Sequence, residues 1–165
     1  MRFAHIADTH IRNLKYHFEY KEVFKQLYRS LKEENVDYII HCGDIAHTKT
    51  QISPEFVDLC RDFFENLASI APTYIILGNH DGNLRNESRQ DALSPIIKAI
   101  NSPNLILLKD AGETFLNDKF ADAKHPSIEI KNQKIEDTDF SDADVVLINS
   151  TCFDMELVDL ISQKA

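Results

Sequence analysis

The chain has 165 residues, of which 43% are hydrophobic and 27% charged, and its net charge is −9. This length predicts one domain with a sizeable core, and the composition is ordinary for a soluble globular protein. The acidity disfavours nonspecific nucleic-acid binding through a broad basic surface. A metal-dependent nuclease remains open, because bound divalent cations can supply the positive charge that meets a phosphate.

The sequence shows no pattern typical of membrane insertion, secretion, disulfide bonds or thiolate zinc sites. No apolar run approaches the roughly 18 residues that a membrane-spanning helix needs, and the N-terminus lacks a charged leader with a long apolar core. We therefore expect a cytoplasmic protein without membrane association. Cys42, Cys60 and Cys152 are widely spaced and form no C-x-x-C pair, which indicates reduced packing residues rather than disulfides or a thiolate zinc site.

The hydrophobic pattern predicts alternating strands and helices. Strands are expected at residues 3–7, 36–41, 73–77 and 105–108, with the third buried on both faces. A first helix should bury Tyr20, Val23, Phe24, Leu27, Tyr28 and Leu31. A second helix should begin at Ser53-Pro54 and bury Phe56, Leu59, Cys60, Phe63, Phe64 and Leu67. A third is expected around residues 93–100. The alternation predicts an α/β fold with a mostly parallel sheet flanked by helices.

The end of the chain differs in character. Residues 119–165 contain five Lys and ten Asp or Glu, a net charge of −5. Residues 117–141 show few apolar clusters and are expected to be irregular, followed by a strand at 145–148 and a short helix around 155–161. We therefore divide the chain into a domain at residues 1–118 and an acidic tail at residues 119–165.

Polar side chains follow the first three predicted strands. Asp8 and His10 come after the first, Asp44 after the second, and Asn79 and His80 after the third. The carboxyl ends of parallel strands share one edge, so these groups should meet in one cleft. Oxygen and imidazole donors without thiolates suit Mn²⁺, Fe²⁺, Mg²⁺ or Zn²⁺. Two ions roughly 3.5–4 Å apart could activate water for phosphoester hydrolysis.

Three motifs in chain order resemble a known superfamily. Asp8-x-His10, Gly43-Asp44 and Gly78-Asn79-His80-Asp81 look like the first three motifs of the calcineurin-like metallophosphoesterases. The surrounding text, HIADTH, HCGDIAH, YIILGNHDGN and SRQDAL, is most similar to the DNA-repair nuclease branch, the SbcCD-type exonucleases. The resemblance covers about residues 1–118 and implies the first half of the α/β/β/α sandwich of that superfamily.

This resemblance also implies roles for individual residues. Asp8 and His10 would bind the first of two divalent ions, Asp44 would bridge both, and Asn79 would bind the second. The ions would be Mn²⁺ first, with Fe²⁺, Zn²⁺ or Mg²⁺ as alternatives. His80 would stabilise the developing charge or protonate the leaving oxygen, and Asp81 would orient it. The implied substrate is DNA or another phosphodiester; whether an ATPase partner subunit or a second copy of the chain completes the cleft stays open.

The departures from the family pattern support an alternative. Members supply further metal ligands from two later histidine motifs, and neither is present, because the only later histidine is His125 beside a proline. The alternative is a catalytically incomplete fragment or a noncatalytic binding subunit. The tail segment DADVVLINSTCF is similar to a strand and loop of Dot-one type methyltransferases, which leaves a truncated or fused reading frame as an explanation.

Three further residues have two interpretations each, and a fourth has one. His47 either lines the cleft or is a solvated loop residue. Arg85 and Arg89 either contact a phosphate backbone or lie in a solvent-exposed loop. His41, at the end of a strand, is expected to be packed or hydrogen-bonded scaffold.

Overall fold

The computed structural model describes residues 2–83, 86, 88–109, 113–115 and 129–131. The chain divides into two units, Met1–Leu108 and Lys109–Ala165. The first unit contains, in order, β1 (Phe3–Ile6), α1 (His17–Glu33), β2 (Tyr38–His41), α2 (Pro54–Ile70), β3 (Thr73–Ile76), α3 (Ser94–Ile100) and β4 (Leu105–Leu108). All four strands are parallel and lie in the order β1-β2-β3-β4. The predicted α/β fold with a parallel sheet is confirmed.

The three helices form a layer in which α1 contacts α2 and α2 contacts α3. The predicted buried face of α2 is confirmed, since all six residues that were assigned to this face are buried. Phe63 lies at the centre, where its ring stacks on that of Phe24 from α1 with 4.3 Å between centroids. Burial of each such aromatic side chain contributes roughly 2–3 kcal/mol, so this contact anchors α1 and α2 to each other.

The start of α2 follows the predicted pattern. The hydroxyl of Ser53 accepts a hydrogen bond from the backbone N–H of Phe56 at 3.2 Å, and Pro54 occupies the first turn, where its missing N–H costs nothing. Ser53 also binds the preceding loop: its N–H donates to Asn13 Oδ1 at 2.6 Å and its hydroxyl donates to the Asn13 carbonyl at 3.0 Å. The cap therefore joins α2 to the segment that leads into α1.

Two predictions about burial are wrong. Val23 is 59% exposed, because α1 lies over the edge of the sheet and packs against α2 on one side only. The strand β3 alternates buried and half-buried residues instead of being buried on both faces. Thr73 and Ile75 face the helices, whereas Tyr74 and Ile76 lie on the other face, which the described residues only partly cover.

The second unit contains an antiparallel pair, β5 (Glu113–Phe115) and β6 (Glu129–Lys131). The strand β6 lies within residues 117–141, which were expected to be irregular. One apolar residue between two charged ones is too short a run to show strand periodicity, which explains why the pattern missed it. The predicted strand at 145–148 and helix at 155–161 lie outside the described residues. No helix in the described part of the chain is long and apolar enough to cross a membrane.

Candidate metal centre

The loops after β1 and β2 run side by side and extend the pairing of these strands. The N–H of Asp8 donates to the carbonyl of Gly43 at 3.1 Å, and that of His10 donates to the carbonyl of Asp44 at 2.9 Å. Ile11 then forms an isolated parallel bridge with Ala46. These hydrogen bonds fix the distance between two segments that are far apart in the sequence.

The backbone at this point adopts an uncommon conformation. Asp8, His10 and Asp44 have φ angles of 57°, 44° and 54°, and Gly43 has a φ of 89°. Positive φ is unfavourable for residues with a side chain, and such residues cluster at functional sites where the surrounding structure holds them. Three of the four predicted metal ligands therefore lie on a strained backbone.

Asp8, His10 and Asp44 form a compact cluster of donors. Each offers a ligand atom, and these atoms lie within 4.8 Å of one another. Asp8 Oδ1 and His10 Nδ1 are buried without a hydrogen-bond partner. An unsatisfied buried polar atom costs about 1–3 kcal/mol, and a cation at the cluster would offset the cost for the carboxylate oxygen. Carboxylate and imidazole donors without thiolates also fit Mn²⁺, Fe²⁺, Mg²⁺ or Zn²⁺.

The loop after β3 meets this cluster from the other side. The backbone N–H of His80 donates to Asp44 Oδ1 at 2.9 Å, so Asn79 lies in a turn that contacts the predicted bridging carboxylate. The approach requires two glycines. A Cβ on Gly43 would overlap the backbone of Gly78, and a Cβ on Gly78 would overlap the carboxylate of Asp44.

The side chains of Asp81 and His80 each form hydrogen bonds with backbone groups, and the orienting role that the resemblance implies for Asp81 stays a prediction. Asp81 is fully buried, and its two oxygens accept hydrogen bonds from the N–H groups of Ala46 at 2.7 Å and Gly78 at 3.0 Å. Burial raises the pKa of Asp81, while these backbone hydrogen bonds oppose that shift. The side chain of His80 is oriented by a carbonyl, since its Nδ1 lies 2.7 Å from the oxygen of His47. Asp81 therefore holds the backbones of the second and third loops together.

The comparison with known families agrees with these motifs. The sequence matches the family described as calcineurin-like phosphoesterase over residues 1–149. The chain belongs to the calcineurin-like phosphoesterase family. Phosphoesterases of this family use divalent metals, and the resemblance predicted from the three motifs is confirmed. The match extends beyond residue 118, and the boundary between domain and tail stays a prediction.

Individual relatives are similar to parts of this calcineurin-like chain. An uncharacterized protein of Acanthamoeba polyphaga mimivirus is 50% identical over 112 residues, which cover 66% of this chain and 8% of the relative. The DNA double-strand break repair protein Mre11 of Archaeoglobus fulgidus is 25% identical over 101 residues, covering 58% of this chain and 23% of that protein. The chain thus spans less than a quarter of either relative.

The solved structure of the Pseudomonas putida nuclease MPE gives a TM-score of 0.46 with 22% sequence identity. The aligned region covers 67% of this chain and 49% of that nuclease.

His47, for which the sequence allowed two interpretations, lies close to the histidines of the first and third phosphoesterase motifs. Its ring centroid lies 5.9 Å from that of His10 and 6.2 Å from that of His80, and these two rings are 4.8 Å apart. Desolvation lowers the pKa of His47, and the nearby Arg12, His10 and His80 lower it further. Its position three residues after Asp44 is the signal that could have indicated this placement. Arg89 is exposed, while Arg85 and His125 lie outside the described residues.

His41 supports the turn of the second phosphoesterase motif through a hydrogen bond to Gly43. It is fully buried on the helix side of the sheet, with its ring perpendicular to that of Phe63 at 6.0 Å. The N–H of Gly43 donates to His41 Nδ1 at 3.2 Å, so the imidazole proton must lie on Nε2, which has no hydrogen-bond partner. Burial, with a smaller effect from His5, lowers the pKa of His41 to about 3.

Proposed function

We propose that this chain carries a metal-dependent phosphodiesterase site that acts on nucleic acid in the manner of SbcCD-type exonucleases. The observation that supports it best is the convergence of Asp8, His10 and Asp44 within 4.8 Å at the ends of two neighbouring strands. In this proposal Asp8 and His10 hold the first ion, Asp44 bridges, and Asn79 holds the second. Mn²⁺ is the proposed metal, and a cytoplasmic location stays a prediction from the sequence.

The hydrogen bonds of Asp44 and His80 support the roles proposed for these side chains. Divalent ions at this cluster would act as Lewis acids and lower the pKa of a water molecule. The N–H of His80 donates to one oxygen of Asp44, and this hydrogen bond would orient the carboxylate for contact with both ions. Because the carbonyl of His47 can only accept, His80 Nδ1 carries a hydrogen and Nε2 is left to exchange protons. A protonated His80 could therefore stabilise the developing charge or protonate the leaving oxygen.

Hydrolysis of bis-p-nitrophenyl phosphate in Mn²⁺ tests this function. Asp44→Ala should lower the rate at least about 100-fold. Asp44 is the proposed ligand of both ions, and Lewis-acid stabilisation by such ions contributes several kcal/mol to the transition state. Asp58→Ala is the matched control, since Asp58 is an exposed carboxylate on α2 whose ion pair with Arg61 contributes little. Equal release of product from wild type and Asp44→Ala would contradict the mechanism.

A second candidate function is a noncatalytic binding subunit or incomplete fragment. It is favoured by the donor set, since the described residues contain one cluster of three groups that could hold a metal. Calorimetric titration with Mn²⁺ separates the two candidates. Two tight sites per chain favour the enzyme, whereas one weak site or none favours the binding subunit. An ATPase partner or a second copy of this chain as a source of further ligands is part of this same proposal.

A further inference from the structure

Four exposed apolar side chains lie at the edge of the sheet that carries the metal centre. Helices of a parallel α/β unit begin at the carboxyl ends of the strands, so the starts of α1 and α2 share this edge with Asp8 and Asp44. Leu14, Tyr16 and Phe18 surround the start of α1 and are 66%, 58% and 74% exposed. Ile52 precedes Ser53, whose two hydrogen bonds to Asn13 connect it to the same loop. These four residues are named the apolar rim.

The apolar rim accounts for most of the large apolar groups left in solvent. Only Phe3 and Val23 are comparably exposed elsewhere among the residues that the structure describes. The segment is ordered by local contacts rather than by burial. His17 Nε2 lies 2.7 Å from the carbonyl oxygen of Arg12, and the hydroxyl of Tyr20 donates to the carbonyl of His10 at 2.7 Å. The loop is therefore held against the metal centre with its aromatic rings directed into solvent.

The two segments that carry the apolar rim contain cations and no acidic residue, and Glu19 and Glu55 follow them in the first turns of α1 and α2. Residues 9–18 contain Arg12 and Lys15, and residues 45–54 contain Lys49, while neither segment has an acidic residue. The chain as a whole has a net charge of −9. Lys49 donates to the carbonyls of Asn79 and Gly82, which places its charge beside the third motif. Arg12 is close enough to His47 to lower the pKa of that imidazole.

We infer that the apolar rim is a stacking surface for the unpaired bases of a single-stranded nucleic acid, whose phosphates Arg12, Lys15 and Lys49 would meet beside the metal centre. Exposed aromatic rings interleaved with cations are the combination that binds single strands without sequence preference, because every base has a face that can stack. In a duplex the faces of the bases are covered by the neighbouring base pairs, so they are not free to stack on Tyr16 and Phe18. This inference specifies the substrate class of the proposed function and rests on it.

Binding of a fluorescent oligothymidylate, followed by anisotropy in Ca²⁺ buffer, tests the inference. Tyr16→Ala and Phe18→Ala should each raise Kd about tenfold, which corresponds to the stacking of one base. Val23→Ala is the matched control, because Val23 is an exposed apolar residue of α1 outside the apolar rim. Lys15→Ala should weaken the salt dependence of binding, whereas Lys21→Ala, an exposed lysine further along α1, should not.

An oligomer of abasic nucleotides separates stacking from charge. It keeps the phosphates but has no bases, so wild type, Tyr16→Ala and Phe18→Ala should bind it with the same affinity, and this affinity should be weaker than that of either variant for oligothymidylate. Equal affinity of wild type, Tyr16→Ala and Phe18→Ala for oligothymidylate would overturn the inference, as would a preference for the duplex. A dimer in sedimentation that Phe18→Ala dissociates would overturn it as well, since the apolar rim would then be a contact between copies.

The outcomes distinguish this inference from the proposed catalytic function. If wild type hydrolyses bis-p-nitrophenyl phosphate but the apolar-rim variants bind oligothymidylate like wild type, the inference fails and the phosphodiesterase stands. If wild type shows no hydrolysis and binding still depends on Tyr16 and Phe18, the stacking surface stands without the enzyme.

Discussion

At Gly78, the backbone of the third loop passes directly against the carboxylate of Asp44. A Cβ there would overlap both the carboxylate and the N–H of Asp44, so the loops can meet only if this residue is glycine. Gly78→Ala should lower the free energy of unfolding by about 1–3 kcal/mol through overpacking and should weaken Mn²⁺ binding. Urea denaturation and calorimetry measure the two effects.

Gly82→Ala is the control for this substitution. A Cβ on Gly82 would meet its nearest atom, the carbonyl oxygen of Gly78, at an ordinary 3.7 Å. The change should therefore be neutral or stabilise the fold by up to about 1 kcal/mol. If both alanine variants unfold at the same urea concentration as wild type, the close approach at Gly78 is not a constraint.

His41 supports the metal-site turn through one hydrogen bond. His41→Leu leaves the N–H of Gly43 without a partner and should cost about 1–3 kcal/mol, together with a loss of metal affinity. In His41→Asn, the amide oxygen can take the place of Nδ1 and should restore most of the Mn²⁺ affinity. An asparagine variant that binds Mn²⁺ no better than the leucine variant would refute this role.

The burial of His41 also predicts how stability depends on pH. Because its pKa falls to about 3 in the folded protein from 6.5 in a free imidazole, the unfolded chain binds a proton in this interval that the folded chain does not. Stability should therefore decline as the pH falls from 6.5 toward 3, by up to about 1.4 kcal/mol per pH unit from this group. In His41→Asn the slope of unfolding free energy against pH should be smaller than in wild type. Equal slopes in the two proteins would contradict this contribution of His41.

At the scale of elements, Ser53 joins α2 to the loop that precedes α1. Ser53→Ala removes the cap on Phe56 N–H and the bond to the Asn13 carbonyl, so we expect a loss of about 1–2 kcal/mol in unfolding free energy. Ser69→Ala is the control, since the hydroxyl of Ser69 bonds only to Asn66 within the last turns of α2. Thermal denaturation of both variants should show a clear decrease in Tm for Ser53→Ala alone.

The elements that the sequence predicts best are those whose pattern and packing agree. The spacing in α2 coincides with its buried face because the helix has neighbours on both sides, α1 and α3. The same spacing overestimates the extent of the buried face of α1, because Val23 faces solvent at the edge of the helix layer. Spacing cannot tell a central helix from an edge helix, since that depends on strand order. Nor does it detect β6, a three-residue strand with charged ends.

For the site, residue types and strand ends predict which groups converge but not how they are held. Asp8, His10 and Asp44 come together as a parallel sheet requires. The partner of His80 could not be predicted, because the carbonyl of His47 is a backbone group that any residue would supply. Likewise, the carboxylate of Asp81 accepts hydrogen bonds from two loop N–H groups, which are backbone groups that residue types do not reveal.

At the scale of the whole molecule, the net negative charge should favour the binding of a divalent cation at the candidate metal centre. A net charge of −9 attracts divalent cations, and a cation that binds only the folded chain stabilises it by mass action. At a free Mn²⁺ concentration about 100 times Kd, the gain should be roughly 2.7 kcal/mol. The Tm should rise with Mn²⁺ in wild type and remain nearly constant in Asp8→Asn, and equal shifts in both would indicate binding elsewhere.

The central claim is that the ends of neighbouring strands bring Asp8, His10 and Asp44 into one divalent-cation centre. Electron paramagnetic resonance tests it directly, because protein-bound Mn²⁺ loses the sharp spectrum of the free aqueous ion. Wild type and Asp58→Asn should bind Mn²⁺ with the same affinity, and Asp8→Asn and Asp44→Asn should each leave the ion free. If all four proteins remove the same amount of Mn²⁺ from solution, these donors do not form the centre.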